Sequence, residues 1–242
     1  MNRKLSVIIP AFKEGNRIIK NLENLEAELR ILNRPYEIIL ICDGCLDTYT
    51  AAKTMSSSTV KVFYYEQNMG KGHALKCGAD KTTGDLVTFI DADMSIDPSE
   101  IDTFIKLSDI YNADIVIGSK RHPQSKVNYP VLRRIQSFAY QMLIAVLFQI
   151  NVKDTQTGLK LFKRDVIRDV LPRAVVKAYA FDLELLVIAH HLGYRKVLEA
   201  PVSIKAQFST TTSPRAAWRA LWDTAAIFYR LYFLHYYDEA HD

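Results

Sequence analysis

The stretch "FIDADMSID" (89–97) sets an apolar run through Leu86, Val87, Phe89 and Ile90 directly against three carboxylates, Asp91, Asp93 and Asp97. Negative charges this close repel, and each loses hydration as the chain around it packs. A divalent cation removes that conflict. Hard oxygen ligands with coordination positions left open suit Mg2+ or Mn2+, which bridge diphosphate oxygens and neutralise the charge that builds on a departing diphosphate. An Asp-x-Asp pair by itself arises by chance in many chains. Its meaning depends on the elements that hold it.

Those elements are legible upstream. The apolar runs "LSVIIPAF" (5–12), "EIILICD" (37–43), "VKVFYY" (60–65), "LVTFID" (86–91) and "ADIVIGS" (113–119) are short and nearly continuous, as strands covered on both faces are. Between them, Ile18, Leu22, Leu25, Leu29 and Leu32 recur at helical steps, and "DPSEIDTFIKLSDI" predicts a helix with Asp97 at its N-cap and Pro98 at its first position. Alternating strands and helices predict an α/β fold: a doubly wound, mostly parallel sheet with helices on both faces. Ligands in such folds bind beyond the carboxyl ends of the strands. At those ends stand Pro10-Ala11-Phe12-Lys13-Glu14, Asp43-Gly44, Asp91-Ala92-Asp93 and Gly118-Ser119-Lys120-Arg121, with "QNMGKGHA" (67–74) carrying Lys71 between two glycines. Acids, a lysine and glycines thus share one sheet edge.

Beyond residue 120 the pattern changes. A long helix is expected over 130–150, basic at Arg133 and Arg134 and apolar afterwards. "DTQTGLKLFKRDVI" (154–167) reads as loop, short strand and helix, "YAFDLELLVIAHHLGY" (179–194) as a helix with Asp182 and Glu184 near its start, and 195–205 as a strand. The tail from Pro214 to Tyr237 reads as a helix with Trp218 and Trp222 one turn apart, and "FSTTTS" (208–213) as a mobile loop.

Composition narrows the class. The 242 residues are 49% hydrophobic and 24% charged, which fits a globular protein and not a disordered one. The apolar window Phe138–Ile150 is shorter than the roughly 20 residues a membrane span requires, and the start does not read as a signal peptide. Three cysteines favour a reducing compartment, and "CDGC" (42–45) reads as buried or structural thiols ahead of a redox pair. Residues 1–114 carry a net charge of −4 and residues 115–242 a net of +8. The second half is therefore expected to meet an anion such as nucleic acid, phosphate or a membrane surface, with a solvated basic face as the plain alternative. No base-reading motif is present, so nucleic acid is not expected. His73, His190, His191 and His235 show no metal-ligand spacing and read as structural.

"SVIIPAFKEGNRI", "CDGCLD", "NMGKGHAL", "TGDLVTFIDADMS", "GSK" and "DTQTGLKLFKRDVI" follow the order and spacing of family 2 glycosyltransferases with the GT-A fold, which the chain resembles over roughly residues 4 to 237. Within that family it looks most like the polyprenyl-phosphate branch: dolichyl-phosphate β-glucosyltransferases first, through "NMGKG", "DTQTG-KLF" and "AFDLELL", and dolichol-phosphate mannose synthases more distantly. The resemblance implies one continuous domain, with 1–120 binding the nucleotide-sugar and 121–242 the acceptor. It implies that Pro10, Ala11 and Glu14 line the base and ribose pocket and that Asp43 faces the nucleobase. Asp91 and Asp93 would hold Mg2+ or Mn2+ and the donor diphosphate, with Lys71 close to the donor. Lys120 takes the place of the family's usual arginine, beside Arg121. Arg133 and Ser137 match residues that hold the acceptor phosphate, Asp154 and Gln156 belong to the acceptor-side loop, and Asp182 and Glu184 occupy a segment where other members carry a catalytic carboxylate.

The chain also departs from the family. Cys42 and Cys45 stand where Asp-Asp-Gly-Ser is frequent, Ser95 stands where mannose synthases have Gln, and no N-terminal anchor like that of eukaryotic glucosyltransferases is expected. What the resemblance implies is inverting transfer of a sugar, with UDP-glucose the favoured donor, to polyprenyl or dolichyl phosphate. Such an acceptor is already ionised near neutral pH, since a phosphate monoester's second pKa is about 6, so it attacks without a base and asks only for cations. A peripheral place on the cytoplasmic face of a membrane follows, through the basic, Trp- and Tyr-rich tail, with room for a separate integral-membrane partner. Other readings are a GDP-mannose-dependent synthase, a transferase with a saccharide acceptor that would need Asp182 or Glu184 as a true base, and an inactive nucleotide-binding membrane adaptor.

Overall fold

The computed structural model describes residues 3–127, 131–177, 180–204 and 214–240; of 131–135, 214 and 216 only the backbone is described. Strand β1 (Leu5–Ala11) lies parallel between β2 (Tyr36–Asp43) and β4 (Leu86–Phe89), and β3 (Val60–Tyr65) extends the sheet beyond β2. On the other side, β6 (Lys160–Lys163) runs antiparallel between β4 and β5 (Ile115–Ser119), and β7 (Val197–Pro201) pairs parallel with β5. The order is β3-β2-β1-β4-β6-β5-β7. The expected doubly wound, mostly parallel sheet is present, with one reversed strand.

Two consequences of this order place the site. The chain winds outward one way from β1 through β2 to β3 and the other way from β4, so the β1/β4 boundary is a topological switch point with a crevice at its carboxyl end. Because β6 is reversed, it begins at the edge where β4 and β5 end, with Lys160 opposite both Phe89 and Ile117. The loop before β6 is thereby brought to the carboxyl edge from the second half of the chain.

Helices cover both faces in the two-residue alternation of the strands. Val7 and Ile9 pack with Ile18, Leu22, Leu25 and Leu29 of α1 (Arg17–Ile31) and with Ile101, Phe104 and Ile105 of α4 (Glu100–Tyr111). Ile8, Val87 and Phe89 face the opposite core, built with Leu75 of α3 (Lys71–Ala79), Ile144 and Phe148 of α5 (Val131–Phe148), α6 (Arg164–Val170), α7 (Phe181–His191) and Ile227 of α8 (Pro214–Tyr232). The short α2 (Leu46–Lys53) follows β2.

Two boundaries differ from expectation. Helix α4 begins at Glu100, because Asp97 spends Oδ1 on the amide and hydroxyl of Ser99, and a separate turn closes from Glu100 N to the Asp97 carbonyl. The tail helix stops at Tyr232. His235 then takes a left-handed φ of 49°, and a single 3-10 turn, Tyr236–Asp238, carries Tyr237 inward until it is fully buried. The "FSTTTS" segment lies outside the described residues. No described helix is long and apolar enough to cross a membrane.

Candidate active site

Asp91 and Asp93 follow the last residue of β4 by two and four positions, at the carboxyl end of the switch point. Strand β4 stops there because the chain turns: Met94 adopts a left-handed φ of 48°, its amide reaches back to the Asp91 carbonyl at 3.1 Å, and Ser95 N donates to Asp93 Oδ1 at 3.0 Å. Asp93 is exposed and Asp91 half-buried. The turn is further held by Asn21 of α1, whose Nδ2 donates to the Ala92 carbonyl at 2.8 Å.

The cation facing Asp91 is Lys71. Its Nζ lies 2.9 Å from Asp91 Oδ1 and 3.3 Å from Asp182 Oδ2. The other oxygen of Asp182 accepts from Lys160 Nζ at 2.8 Å, and Lys160 also donates to the Thr157 carbonyl. A chain of alternating charge therefore runs from the half-buried Asp91 inward to the buried Lys160. Burial alone pushes the Asp182 carboxyl up, but Lys160 and Lys71 outweigh it and hold it below the usual carboxylate range. Burial opposes the charge on Lys71 as well, and Asp182 and Asp91 raise it above the ordinary lysine value. For Lys160 burial prevails over Asp182 and lowers it.

Lys71 is aimed by Asp43. That carboxylate, at the end of β2, accepts from Asn68 Nδ2 at 3.0 Å, Met69 N at 2.7 Å and Gly70 N at 3.0 Å. Both oxygens are thus spent on the loop that ends in Lys71. Gly70 sits at φ 90°, where a side chain would be strained, with its missing Cβ 2.6 Å from the Lys177 carbonyl. On the other wall, Gly158 lets Asp91 approach: a Cβ there would stand 1.9 Å from Asp91 Oδ2.

The remaining expected residues divide into two groups. Pro10 and Ala11 end β1 beside Ile41 and Cys42 of β2, and the amides of Glu14 and Gly15 both donate to Thr48 Oγ1, at 3.0 and 3.1 Å, while the Glu14 carboxylate pairs with Arg17. Pro10, Ala11 and Glu14 all stand at or just beyond the carboxyl end of β1. Past β5, Lys120 is joined to Asp154 twice, backbone N to Oδ2 at 3.0 Å and Nζ to the same oxygen at 3.6 Å. Asp154 Oδ1 accepts from Gln156 N at 3.1 Å, and Gln156 itself is exposed. Arg121 donates to Gln141 of α5 and lies over the Phe138 ring. Ser137 is exposed on α5 one turn after Arg133, whose side chain lies outside the described residues.

Glu184 belongs elsewhere. It accepts from Val175 N, Val176 N and the Tyr237 hydroxyl at 2.9, 2.7 and 2.7 Å, fully buried under the C-terminal turn. Residues two apart on a helix point about 200° from each other, so with Asp182 facing Lys71, Glu184 faces the opposite side. Lys160 and Gly158, by contrast, carry no such signal in the sequence. "GLKLF" (158–162) reads as the start of an ordinary strand, and the only local signal is a lysine set between two leucines.

The arrangement fits a divalent cation that arrives with a diphosphate. Among the described residues no group of three or more His, Cys, Asp or Glu side chains is placed to hold a metal ion, so the protein offers two carboxylates and no cage. Mg2+ and Mn2+ sites that carry nucleotide phosphates are built from one or two carboxylates with the phosphates completing the coordination. Asp93 is exposed and Asp91 only half-buried, which leaves the outer flank of both open to phosphate oxygens. The "CDGC" cysteines are free thiols: burial pushes Cys42 up to about 12, while Cys45, hydrogen-bonded with Thr48, is lowered against the effect of its burial.

Comparison with known proteins assigns the chain to a family and a fold. The family model described as glycosyl transferase family 2 matches residues 6–171. A dolichyl-phosphate β-glucosyltransferase of Trichomonas vaginalis is 33% identical over 209 residues, covering 81% of this chain and 62% of the relative. The dolichyl-phosphate β-glucosyltransferase of Dictyostelium discoideum is 31% identical over 211 residues, covering 79% of this chain and 64% of that one. The chain thus spans less than two thirds of the length of these relatives. Among solved structures, glucosyl-3-phosphoglycerate synthase of Mycobacterium tuberculosis with Mn2+, UDP and phosphoglyceric acid superposes with a TM-score of 0.68 at 19% identity, covering 93% of this chain and 78% of that one. Mannosyl-3-phosphoglycerate synthase of Rubrobacter xylanophilus superposes at 0.71 and 14% identity, covering 95% and 74%. At these identities the likeness establishes the fold, GT-A.

Proposed function

We propose, from the premise that this chain belongs to glycosyl transferase family 2, that it transfers a sugar with inversion from a nucleotide donor, UDP-glucose, to a polyprenyl or dolichyl phosphate. The observation that carries the choice of acceptor is the position of Asp182 between Lys160 and Lys71. A saccharide hydroxyl needs a base to take its proton. Asp182 has both oxygens committed to ammonium groups and its carboxyl held down, and Glu184 is enclosed on the far side of α7. A lipid phosphate has no such need.

Bound at Asp91 and Asp93, a Mg2+ or Mn2+ ion would supply charge neutralisation to the departing diphosphate. The protein's own contribution is orientation. Pro10, Ala11 and Glu14 border the base and ribose, and Asp43 fixes the loop that presents Lys71 to the diphosphate. On the acceptor side Lys120, Arg121, Arg133, Ser137 and Gln156 offer cations and polar groups to the phosphate. An acceptor oxygen attacks the anomeric carbon, the bond from that carbon to the diphosphate oxygen breaks on the opposite face, and the nucleoside diphosphate leaves with the electron pair. No proton changes hands. Bringing two anions together is the main task, and it explains a second half with a net charge of +8.

The lipid half of the acceptor has a surface to rest on. Helices α5 and α8 are joined by the Tyr140–Thr224 hydroxyl pair at 2.8 Å and by the Tyr232 hydroxyl on the Leu147 carbonyl at 3.0 Å. Outward they present Phe138, Met142 and Val146 on one helix and Trp218, Trp222 and Tyr229 on the other, with Phe233 just past its end, all exposed by half or more, and with Arg215 and Arg219 beside the tryptophans. Large aromatics with arginines at one end suit an interfacial, peripheral position on the cytoplasmic leaflet.

Titration calorimetry of UDP and GDP with Mn2+ and with a chelator tests the donor, and labelled UDP-glucose with dolichyl phosphate vesicles tests the transfer. Mn2+-dependent UDP binding and a labelled lipid product are expected. Tight GDP binding without UDP binding assigns the donor to a mannose synthase, and no nucleotide binding removes the transferase reading.

A further inference from the structure

We propose that Lys71 is a two-position cation: it occupies the metal's place against Asp91 while the site is empty, and Asp182, fixed by Lys160, receives it when a divalent ion arrives. The inference rests on the donor-site reading above and concerns this chain's own residues. Lys71 Nζ lies between the two carboxylates, 2.9 Å from Asp91 Oδ1 and 3.3 Å from Asp182 Oδ2, so passing from one to the other needs only a small rotation of its flexible stem. Asp91 is more exposed than Asp182, 39% against 12% for the side chains, so the solvent-facing partner is the one open to exchange. A cation at Asp91 and an ammonium at the same oxygen repel, and the ion that binds Asp91 must displace Lys71.

Asp182 is the piece that lets the displaced lysine stay charged. Its second oxygen is pinned at 2.8 Å by Lys160, a side chain only 1% exposed, which also donates to the Thr157 carbonyl of the loop lining Asp91. The buried Lys160–Asp182 pair is therefore a rigid post. It does no proton transfer and is a positioning device for Lys71. Its carboxylate also keeps a positive group beside the crevice after the metal has entered, where a departing diphosphate gains a negative charge.

The two sides of this exchange make opposite demands on metal affinity, which a merely structural role does not. Lys71→Met removes the competing cation, and Mn2+ should bind the nucleotide-free protein more tightly. Lys160→Met with Asp182→Asn removes the post as a neutral pair, leaves Lys71 with Asp91 alone, and should weaken Mn2+ binding. The expected change is about fivefold each way, the ceiling for a partly exposed ion pair.

The experiment is titration of Mn2+ into the full chain, with free Mn2+ read by electron paramagnetic resonance, without nucleotide and with UDP. Opposite shifts of the two variants in the nucleotide-free titration are the expected result. If wild-type protein binds Mn2+ but both variants shift the same way or not at all, the exchange is wrong and the donor site stands. If wild-type protein takes up Mn2+ in neither condition, the donor site and the exchange fall together. Should the paired variant not fold, Lys71→Met decides alone: unchanged or weaker Mn2+ binding overturns the proposal.

Discussion

The hydroxyl of Tyr237 donates to Glu184 Oε1 at 2.7 Å, joining the last described turn of the chain to the first turn of α7. Arg173 reinforces the joint by donating to the Tyr237 carbonyl at 3.0 Å. Through it, the end of α8 is anchored to the same helix that carries Asp182. Burial raises the Glu184 carboxyl, and the bond from Tyr237 is the strongest influence that opposes it.

Replacing Tyr237 with Phe leaves a buried carboxylate one donor short and costs about 1–3 kcal/mol. For a chain of this size Tm should fall by roughly 2–4 °C for each kcal/mol, read by differential scanning calorimetry. An unchanged Tm shows that Glu184 does not rely on this bond.

Gly158→Ala tests the approach of Asp91. The new methyl would stand 1.9 Å from Asp91 Oδ2, so the carboxylate must move, while the φ of residue 158 is one that alanine adopts without strain. Mn2+-dependent UDP binding should weaken about tenfold or more, equal to about 1.4 kcal/mol, with Tm little altered. Calorimetric titration beside a thermal melt separates the two effects, and wild-type affinity shows that the contact is irrelevant to the site.

Acid stability should be governed in part by Glu37. Burial alone raises its carboxyl, but Lys61 at 2.9 Å, Ser6 and Thr83 lower it to about 2. A depressed carboxyl stabilises the fold above its unfolded pKa, and that stability is lost as pH falls through about 4.5 towards 2. The loss is on the order of 3 kcal/mol, from 1.36 kcal/mol per pKa unit. In Glu37→Gln the difference in urea stability between pH 7 and pH 3 should shrink by about 2 kcal/mol, since pH 3 still lies above the folded value of about 2, and an unchanged pH profile would exclude the group.

Trp218→Ser with Trp222→Ser should reduce co-sedimentation with anionic phospholipid vesicles by about tenfold or more. Salt should weaken what remains, since Arg215 and Arg219 flank the pair. Nucleotide binding in solution should be unaffected. Full vesicle binding by the double variant moves the lipid contact away from α8.

Much of the donor side is legible in sequence because it is built from local signals. Apolar strands ending in acids mark the carboxyl edge, and a glycine-flanked lysine marks the loop after β3. The inner part of the site is not. Lys160 becomes a buried counter-ion only because β6 is reversed and inserted between β4 and β5, and no periodicity in "KLFK" specifies that direction. Asp43 shows the same limit from the other side: its carboxylate is at the expected place, but its bonds to residues 68–70 depend on how the next strand's loop returns. The late start of α4 turns on a rivalry between Asp97 and Ser99 that helix-start patterns alone do not resolve.

The reversed strand also bears on how the chain is made. As synthesis passes β5, both β4 and β5 have emerged, yet the strand that joins them begins only at Lys160. Until then the nascent protein carries a four-stranded sheet whose β4 edge, Leu86 to Phe89, is open and a single unpaired strand β5, Ile115 to Ser119, the kind of edge that pairs with neighbouring chains. Closing that edge rests on the prompt arrival of four residues, Lys160–Lys163.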